Sequence, residues 1–328
     1  MKLLRLTPEN TKFGFMRFRR VSYPFSATIS IISVVLFLSL GMNFGIDFAG
    51  GTLMELRAKS GRADIADLRS TLGHLGIRDV EVQGFGTPSD VLLRFGVQHG
   101  GAAAEEVTVA HVKKALAPRY DFRRVDVVGP RVSGELVQSG TLGVVISILA
   151  VLSYLWFRFE WQFAVGAIIA TMHDLLLTVG FFSITRLEFN TTSIAAILTI
   201  VGYSLNETVV VLDRIREMRR KYRRMPTDQL IDMSINAVLP RTFMTATTVL
   251  LALFSLVIFG GEVIRSFSIA MIWGIFVATY SSIFICSPML IYLGLRNEAA
   301  DAPQTPSAKP AKAQPKKGVA SGAAANRA

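Results

Sequence analysis

The stretch Ile200-Val201-Gly202-Tyr203-Ser204-Leu205-Asn206-Glu207-Thr208-Val209-Val210-Val211-Leu212 is apolar enough to lie in a bilayer, yet it carries a glutamate. A carboxylate near a bilayer centre costs roughly 2.5–3.5 kcal/mol on insertion scales. Chains keep such a group where it is used, commonly to carry or sense ions. The run reaches back to Thr191, and at about 1.5 Å per residue a span needs about 20 residues. Residues 191–212 therefore read as a membrane-crossing helix with a charge-bearing group inside it.

Working outward, five more apolar runs flank this one: Pro24–Gly45, Val137–Phe157, Phe163–Ile184, Phe243–Gly260 and Phe267–Leu295. Hydrophobic residues make up 51% of the 328 positions and charged ones only 18%, a balance that excludes an ordinary soluble enzyme. The pattern predicts a polytopic α-helical membrane protein with six transmembrane helices. The first run is too long for a secretory leader, and no Ala-x-Ala-type cleavage site follows it, so it is expected to stay as a span.

Charge sets the expected orientation. Residues 1–23 carry Lys2, Arg5, Lys12, Arg17, Arg19 and Arg20 against Glu9. The segment 213–242 begins with Arg214, Arg216, Arg219, Arg220, Lys221, Arg223 and Arg224, and the tail 296–328 adds Lys309, Lys312, Lys316 and Lys317. With six spans these three segments share one side, and the positive-inside rule makes it the cytoplasm, with both termini there. The net charge of +11 is then an orientation signal. It hugs span ends without a nucleic-acid-binding motif, so no nucleic-acid partner is expected. The Ala-, Pro- and Lys-rich tail is expected to be disordered. The lone Cys286 falls in an apolar run and is expected to be a packing residue.

Residues 46–136 are the one stretch long enough to fold outside the bilayer, on the periplasmic side. Thr52–Ala58 alternates as a strand, with Leu53, Glu55 and Arg57 on one face and Met54, Leu56 and Ala58 on the other. Ala63–Leu75 spaces Ile65, Leu68, Leu72 and Leu75 as a helix. Val80–Val82 and Val91–Phe95 read as strands around a turn at Gly86–Ser89. A helix over Val107–Leu116 and a strand over Phe122–Val128 complete a β-α-β-β-α-β order, which predicts a ferredoxin-like α+β domain between the first two spans. His74, His99 and His111 have no metal-ligand spacing and there is no P-loop, so no enzyme chemistry, metal or cofactor is expected.

Six motifs, in register from about Arg17 to Leu295, resemble the SecF family, the smaller membrane subunit of the bacterial SecDF protein-export factor. Gly45-Ile46-Asp47-Phe48-Ala49-Gly50-Gly51-Thr52 follows the first span. Val128-Gly129-Pro130-Arg131-Val132-Ser133-Gly134 precedes the second. His173-Asp174, Gly202–Val211, Asp213–Glu217, and Arg241-Thr242 with Phe259-Gly260-Gly261 follow in order. The resemblance implies a place in the resistance-nodulation-division superfamily, whose transporters have two six-span halves. SecD would supply the other half, in the bacterial inner membrane beside the SecYEG channel, sometimes with YajC. The complex would pull preproteins on the periplasmic side using the proton-motive force. The family usually has Asp where this chain has Glu207, which displaces the carboxylate by about 1.5 Å.

Several residues are candidates for the work. Desolvation favours the neutral acid at Glu207, so it can load and release a proton; a structural carboxylate bonded between helices is the alternative. Arg241 is the expected counter-charge, by family analogy, or else an interfacial anchor. Asn206 could orient Glu207. His173 and Asp174 form a second polar point, either a relay or a clasp to the SecD half. Asp213 is expected to pair locally with Arg214. Thr242, Thr245, Thr247 and Thr248 are expected to bond their own helix backbone. Asp47, Gly50 and Gly51, with Gly129 and Pro130, mark the hinges joining domain to membrane. A proton-driven subunit, a non-conducting scaffold and a half-size small-molecule exporter all use such parts; the small loop disfavours the last. The coupling ion is expected to be H⁺, with Na⁺ the alternative.

Overall fold

Each apolar run maps onto a helical stretch, and three of the six lie wholly inside one. The computed structural model describes residues 11–77, 80–98 and 101–295. Lys2, Arg5, Glu9, His99 and the tail 296–328 lie outside the described residues.

A 3-10 turn, Phe15–Phe18, leads into α1 (Arg19–Leu40), followed by β1 (Asn43–Phe44) and the one-turn α2 (Ile46–Ala49). The extramembrane domain contains β2 (Gly51–Ala58), α3 (Ile65–His74), β3 (Val80–Phe85), β4 (Thr87–Phe95), α4 (Gly101–Leu116) and β5 (Tyr120–Val128). Then come α5 (Pro130–Arg158), α6 (Trp161–Thr185), β6 (Glu188–Phe189), α7 (Thr191–Lys221), α8 (Thr227–Phe259) and α9 (Glu262–Ser281). A π-helical segment, Ser282–Cys286, joins α9 to α10 (Ser287–Tyr292). Among the described residues, six helical stretches are long and apolar enough to cross a membrane.

Hydropathy marks where a helix meets lipid, not where its hydrogen bonds end, and the boundaries shift accordingly. The first helix stops at Leu40 rather than Gly45, because Gly41 leaves helical space at φ +64. Helix α5 starts at Pro130, inside the stretch expected to belong to the domain; proline suits a first helical position, where its missing N–H has no partner to lose. The basic segment 213–242 is mostly helix, with a break only over residues 222–226. Arg219, Arg220 and Lys221 close α7, where cations oppose the helix dipole. In the last span, Pro288 has no N–H for the ladder, and the preceding turn widens into the π segment.

The domain sheet runs β3-β4-β2-β5 with antiparallel neighbours, the ferredoxin-like order. Met54, Leu56, Leu93 and Phe95 are buried with Leu68 and Leu72 of α3 and Val112 and Leu116 of α4. On the opposite face Leu53 and Leu92 pack against Ile46 of α2. Leu75, expected on the apolar face of α3, is its exposed C-cap instead. The β3–β4 turn is tighter than the Gly86–Ser89 expectation: β4 begins at Thr87, and Gly86 at φ +63 carries the reversal. Asp90 is thereby drawn into β4 opposite Arg57, which grips it with two bonds of 2.6 and 2.8 Å. That bond holds the Asp90 carboxyl down at about 2.

Among the spans, α6, α7 and α9 are the inner helices, whereas α5 and α8 are largely exposed. Apolar residues form two clusters. One holds Leu155, Phe163, Val211, Leu212 and Ile231; the other holds Phe182, Ile197, Ile200, Met271 and Ile275. Helix α1 seats against α6 at Gly180, where any Cβ would collide with Ser33.

Two predictions follow from this packing. The Arg57–Asp90 pair stabilises the domain at and above the unfolded carboxylate value, about 3.9, and its contribution is lost as pH falls through about 2. Pepsin cleavage of Asp90→Asn relative to wild type should therefore be fastest near pH 4 and approach parity near pH 2; a flat ratio would exclude the pair as a stabilising contact. Gly180→Leu should overpack the α1–α6 contact by about 1–3 kcal/mol and lower the melting midpoint of the purified protein, and Ser33→Gly should restore part of it.

Candidate functional site

Helix α7 carries the site, and its first turn is tied down twice. Asn190 caps it, accepting from Ser193 N at 3.2 Å, while the Ser193 hydroxyl accepts from Asn190 N. Asp47 reaches across from α2 to accept from Thr191 N at 2.9 Å and the Thr191 hydroxyl at 2.7 Å. A short parallel pairing of β1 with β6 supports this contact, with Gly45 N donating to Phe189 O at 2.8 Å. Asp47 thus joins the stretch after α1 to the helix bearing Glu207.

The same stretch anchors the domain. Gly50 and Gly51 adopt φ +72 and +114. A Cβ on Gly50 would lie 2.8 Å from Val97 and 3.4 Å from Ser133 of α5, and one on Gly51 would strike Phe95 O. Gly129 caps α5 and Pro130 opens it. Both chain crossings between domain and membrane therefore meet at one corner.

Glu207 is buried, 3% exposed, in the middle of α7 rather than near its end: the helix continues to Lys221. Its Oε1 lies 3.3 Å from the Thr245 hydroxyl of α8, and its Oε2 has no hydrogen-bond partner among the described residues. The Thr245 hydroxyl is also 3.0 Å from two carbonyls of its own helix, Arg241 O and Thr242 O. One hydroxyl has one proton. With Glu207 ionised, Thr245 must turn that proton to the carboxylate; with Glu207 neutral, the acid can donate to Thr245, which then bonds its own backbone. Thr242, buried beside it, has an unpartnered hydroxyl.

The expected arginine partner is elsewhere. Arg241 is exposed, and no ion pair joins it to Glu207 among the described residues. It lies one turn before Thr245 on α8, so the helix face that meets Glu207 presents a hydroxyl instead. Asn206 is exposed, because adjacent helical residues point about 100° apart.

Asp174 is fully buried at the centre of α6. Its Oδ2 accepts from Ser204 of α7 and, at 2.9 Å, from Ser281 of α9; its Oδ1 is 3.4 Å from His173 Nδ1. Asp174 thus clasps the three inner helices of this chain to one another. His173 stacks near Tyr280, whose hydroxyl meets Ser26 of α1 at 2.8 Å. Ser204 precedes Glu207 by three residues, so the two carboxylate sites share a face of α7 about 4.5 Å apart along its axis. Asp213 pairs not with Arg214 but with Arg158 of α5, at 2.9 Å, and more loosely with Arg216, while Arg214 bonds Glu217 at 2.6 Å.

Sequence reasoning missed Ser204, Ser281, the Thr245 contact and the Asp47 cap. The first three were visible as small hydroxyl residues inside apolar runs, but nothing local says which helix they face.

Comparison with known proteins agrees with this architecture. Residues 108–296 match the family model described as "Protein export membrane protein SecD/SecF, C-terminal", and residues 35–61 match "SecD/SecF GG Motif", the segment around Asp47, Gly50 and Gly51. "Protein translocase subunit SecF" of Rickettsia akari is 45% identical over 289 residues, covering 88% of this chain and 94% of that protein. "Protein translocase subunit SecDF" of Brucella abortus is 44% identical over 299 residues; the match takes 91% of this chain and 39% of the longer protein. The crystal structure of SecDF from Thermus thermophilus, described as a translocon-associated membrane protein, aligns with a TM-score of 0.79 at 32% identity. It covers 89% of this chain, which spans 40% of that one. A SecDF structure described as a super-membrane-facing form aligns over the same shares with a TM-score of 0.65. The six-helix bundle, the ferredoxin-like insert and these matches show that the chain belongs to the SecF family of protein translocase subunits.

Proposed function

We propose that this chain is the proton-responsive half of a SecD-paired unit in the bacterial inner membrane. With SecD it draws on the proton-motive force to assist the late steps of preprotein export beside SecYEG, sometimes with YajC. Both termini are cytoplasmic and the ferredoxin-like domain periplasmic, in keeping with the basic residues at the opposite end of the bundle. The relatives named SecDF carry additional chain beyond the part matched here, and SecD supplies the equivalent as a separate subunit. The exposed apolar residues of α8, including Phe243, Leu251, Phe254 and Ile258, offer surface for that second half.

The observation that carries the proposal is Glu207: a buried carboxylate with, among the described residues, a single hydroxyl contact and no ion-pair partner. A buried acceptor left without a donor costs about 1–3 kcal/mol, more when charged, so the ionised and neutral states favour different surroundings. Protonation lets Thr245 bond its own helix; deprotonation calls it, or an approaching Arg241, to the carboxylate. Because Arg241 stays charged, its approach would expel the proton rather than carry it. One charge crossing the membrane supplies about 2.3 kcal/mol per 100 mV, enough to bias such a pair of states. Asp47 then transmits the shift, since it fixes the start of α7 to the corner on which the domain turns. A cavity of about 520 Å³ between the sheet and the β6–α7 connection, lined by Glu55, Arg124 and Glu188 among others, leaves room for the domain to move. The lower TM-score against the super-membrane-facing form, at equal coverage and identity, fits a family that changes its arrangement.

A scaffold role is favoured by one observation, the separation of Arg241 from Glu207. The two readings part on Glu207→Gln. Export into sealed vesicles should fall to its gradient-independent level in that variant while assembly with SecD persists, and Glu207→Asp should retain activity. Full gradient-driven export by Glu207→Gln would leave only the scaffold. Imposing pH and Na⁺ gradients separately identifies the ion: stimulation by the pH gradient alone is expected. Asp47→Ala should cost about 0.5–2 kcal/mol of helix-start stability. It should also reduce gradient-driven export several-fold without altering gradient-independent export; an equal loss in both would mean that Asp47 only holds the fold.

A further inference from the structure

The basic end of the bundle contains a pocket that the export mechanism does not use. It lies between the end of α5 and the last turns of α7, encloses about 560 Å³, and is lined by Arg158, Asp213, Arg216, Glu217, Arg220 and Lys221. Four cations thus face two carboxylates, and both carboxylates are already engaged. Asp213 holds Arg158 and Arg216, and Glu217 holds Arg214. Arg220 and Lys221 have no ion pair among the described residues, and the Nε of Arg216 is buried without an acceptor. The Arg158 and Arg216 guanidiniums also lie 4.9 and 5.5 Å from the Phe159 ring, which fixes them as a wall. The pocket therefore has surplus positive charge and free N–H donors on a preformed frame.

Its depth identifies the class of anion. Asp213 lies about 33 Å along α7 from Thr191 and Arg220 about 43 Å, whereas the hydrocarbon layer is about 30 Å thick and the bilayer with headgroups about 40–45 Å. Counted from Thr191 at one edge of the hydrocarbon, Asp213 falls in the opposite headgroup layer and Arg220 several ångströms outside it, so the pocket opens from the headgroups to the aqueous side, within reach of the long Arg220 and Lys221 side chains. Just below them α5 exposes Leu149, Tyr154, Trp156 and Phe157, the last at 88%. Aromatic residues at this level favour the membrane interface, and the leucine offers acyl chains a surface.

We propose that this pocket binds the phosphodiester headgroup of an anionic phospholipid, with Arg220, Lys221 and Arg216 as donors and the exposed face of α5 against its acyl chains. Bound there, the lipid bridges the ends of α5 and α7 on the face opposite the Asp47 cap. The site depends on the chain spanning a membrane and not on the proton role of Glu207, so the two can fail separately.

The test is native mass spectrometry of the purified full chain in detergent, titrated with phosphatidylglycerol, phosphatidylcholine or inorganic phosphate. Wild type should retain phosphatidylglycerol in preference to phosphatidylcholine, and inorganic phosphate should not displace it. Arg220→Gln with Lys221→Gln should weaken phosphatidylglycerol retention about tenfold or more, since each basic residue near a lipid surface contributes substantially. Neither residue holds an ion pair among the described residues, but both sit in the last turn of α7 and Lys221 lies 5.4 Å from the Tyr222 ring, so a melting curve is recorded beside each titration and a drop of a few degrees is expected without loss of fold. Arg223→Gln with Arg224→Gln, which removes the same charge outside the pocket, should change retention by less than about threefold. Equal losses in the two double variants would reduce the effect to diffuse attraction and overturn the site. Equal retention of phosphatidylcholine, or displacement by inorganic phosphate, would overturn the lipid assignment.

Discussion

Everything in the bundle is arranged around the difficulty of keeping two carboxylates inside apolar helices. Asp174 and Glu207 meet that difficulty in opposite ways. Asp174 sits among donors from α7 and α9 with a histidine beside it, and so ties the three inner helices together. Glu207, about one turn along the same face, has one shared hydroxyl and an oxygen without a partner. The satisfied acid belongs to the frame, and the unsatisfied one is the group on which the proposed proton cycle rests. Between the two apolar clusters they form a polar layer, with slack on one side of it only.

Much of this was legible in the chain. The six runs, the domain order β-α-β-β-α-β and the isolated glutamate each rest on local pattern, either apolar length or the alternation of side chains, and local pattern survives folding. What failed to show was pairing across helices. Arg241 and Glu207 looked complementary by charge, but Arg241 lies one turn, about 6 Å, before Thr245 along the same side of α8, so Thr245 is level with the carboxylate and Arg241 is exposed beyond it. Asp213 beside Arg214 looked like a local pair, but neighbours on a helix diverge, and Arg158 from α5 reaches Asp213 instead. Helix ends were misjudged for a related reason. Most residues of 213–221 are charged, but Arg, Glu, Met and Lys are good helix formers, so α7 continues past its apolar run.

The corner at Gly50-Gly51 and Gly129-Pro130 gives the domain two covalent attachments at nearly one point, against Val97 and Ser133. Such an arrangement permits rotation more readily than translation. With the inner helices held by Asp174, α8 and the domain are the least encumbered parts of the chain.

The cap on α7 also bears on how the protein is made. Asp47 and the helix start it satisfies are 144 residues apart, and the acceptor is the earlier of the two. A chain inserted from its N-terminus has therefore placed the Asp47 carboxylate at the membrane edge before Thr191 leaves the insertion machinery. The helix with the costliest residue arrives at a docking point already built, and its first turn need not wait for any later segment. Had the order been reversed, the glutamate helix would cross the bilayer with its Thr191 N–H unmet while the rest of the protein was still being synthesised.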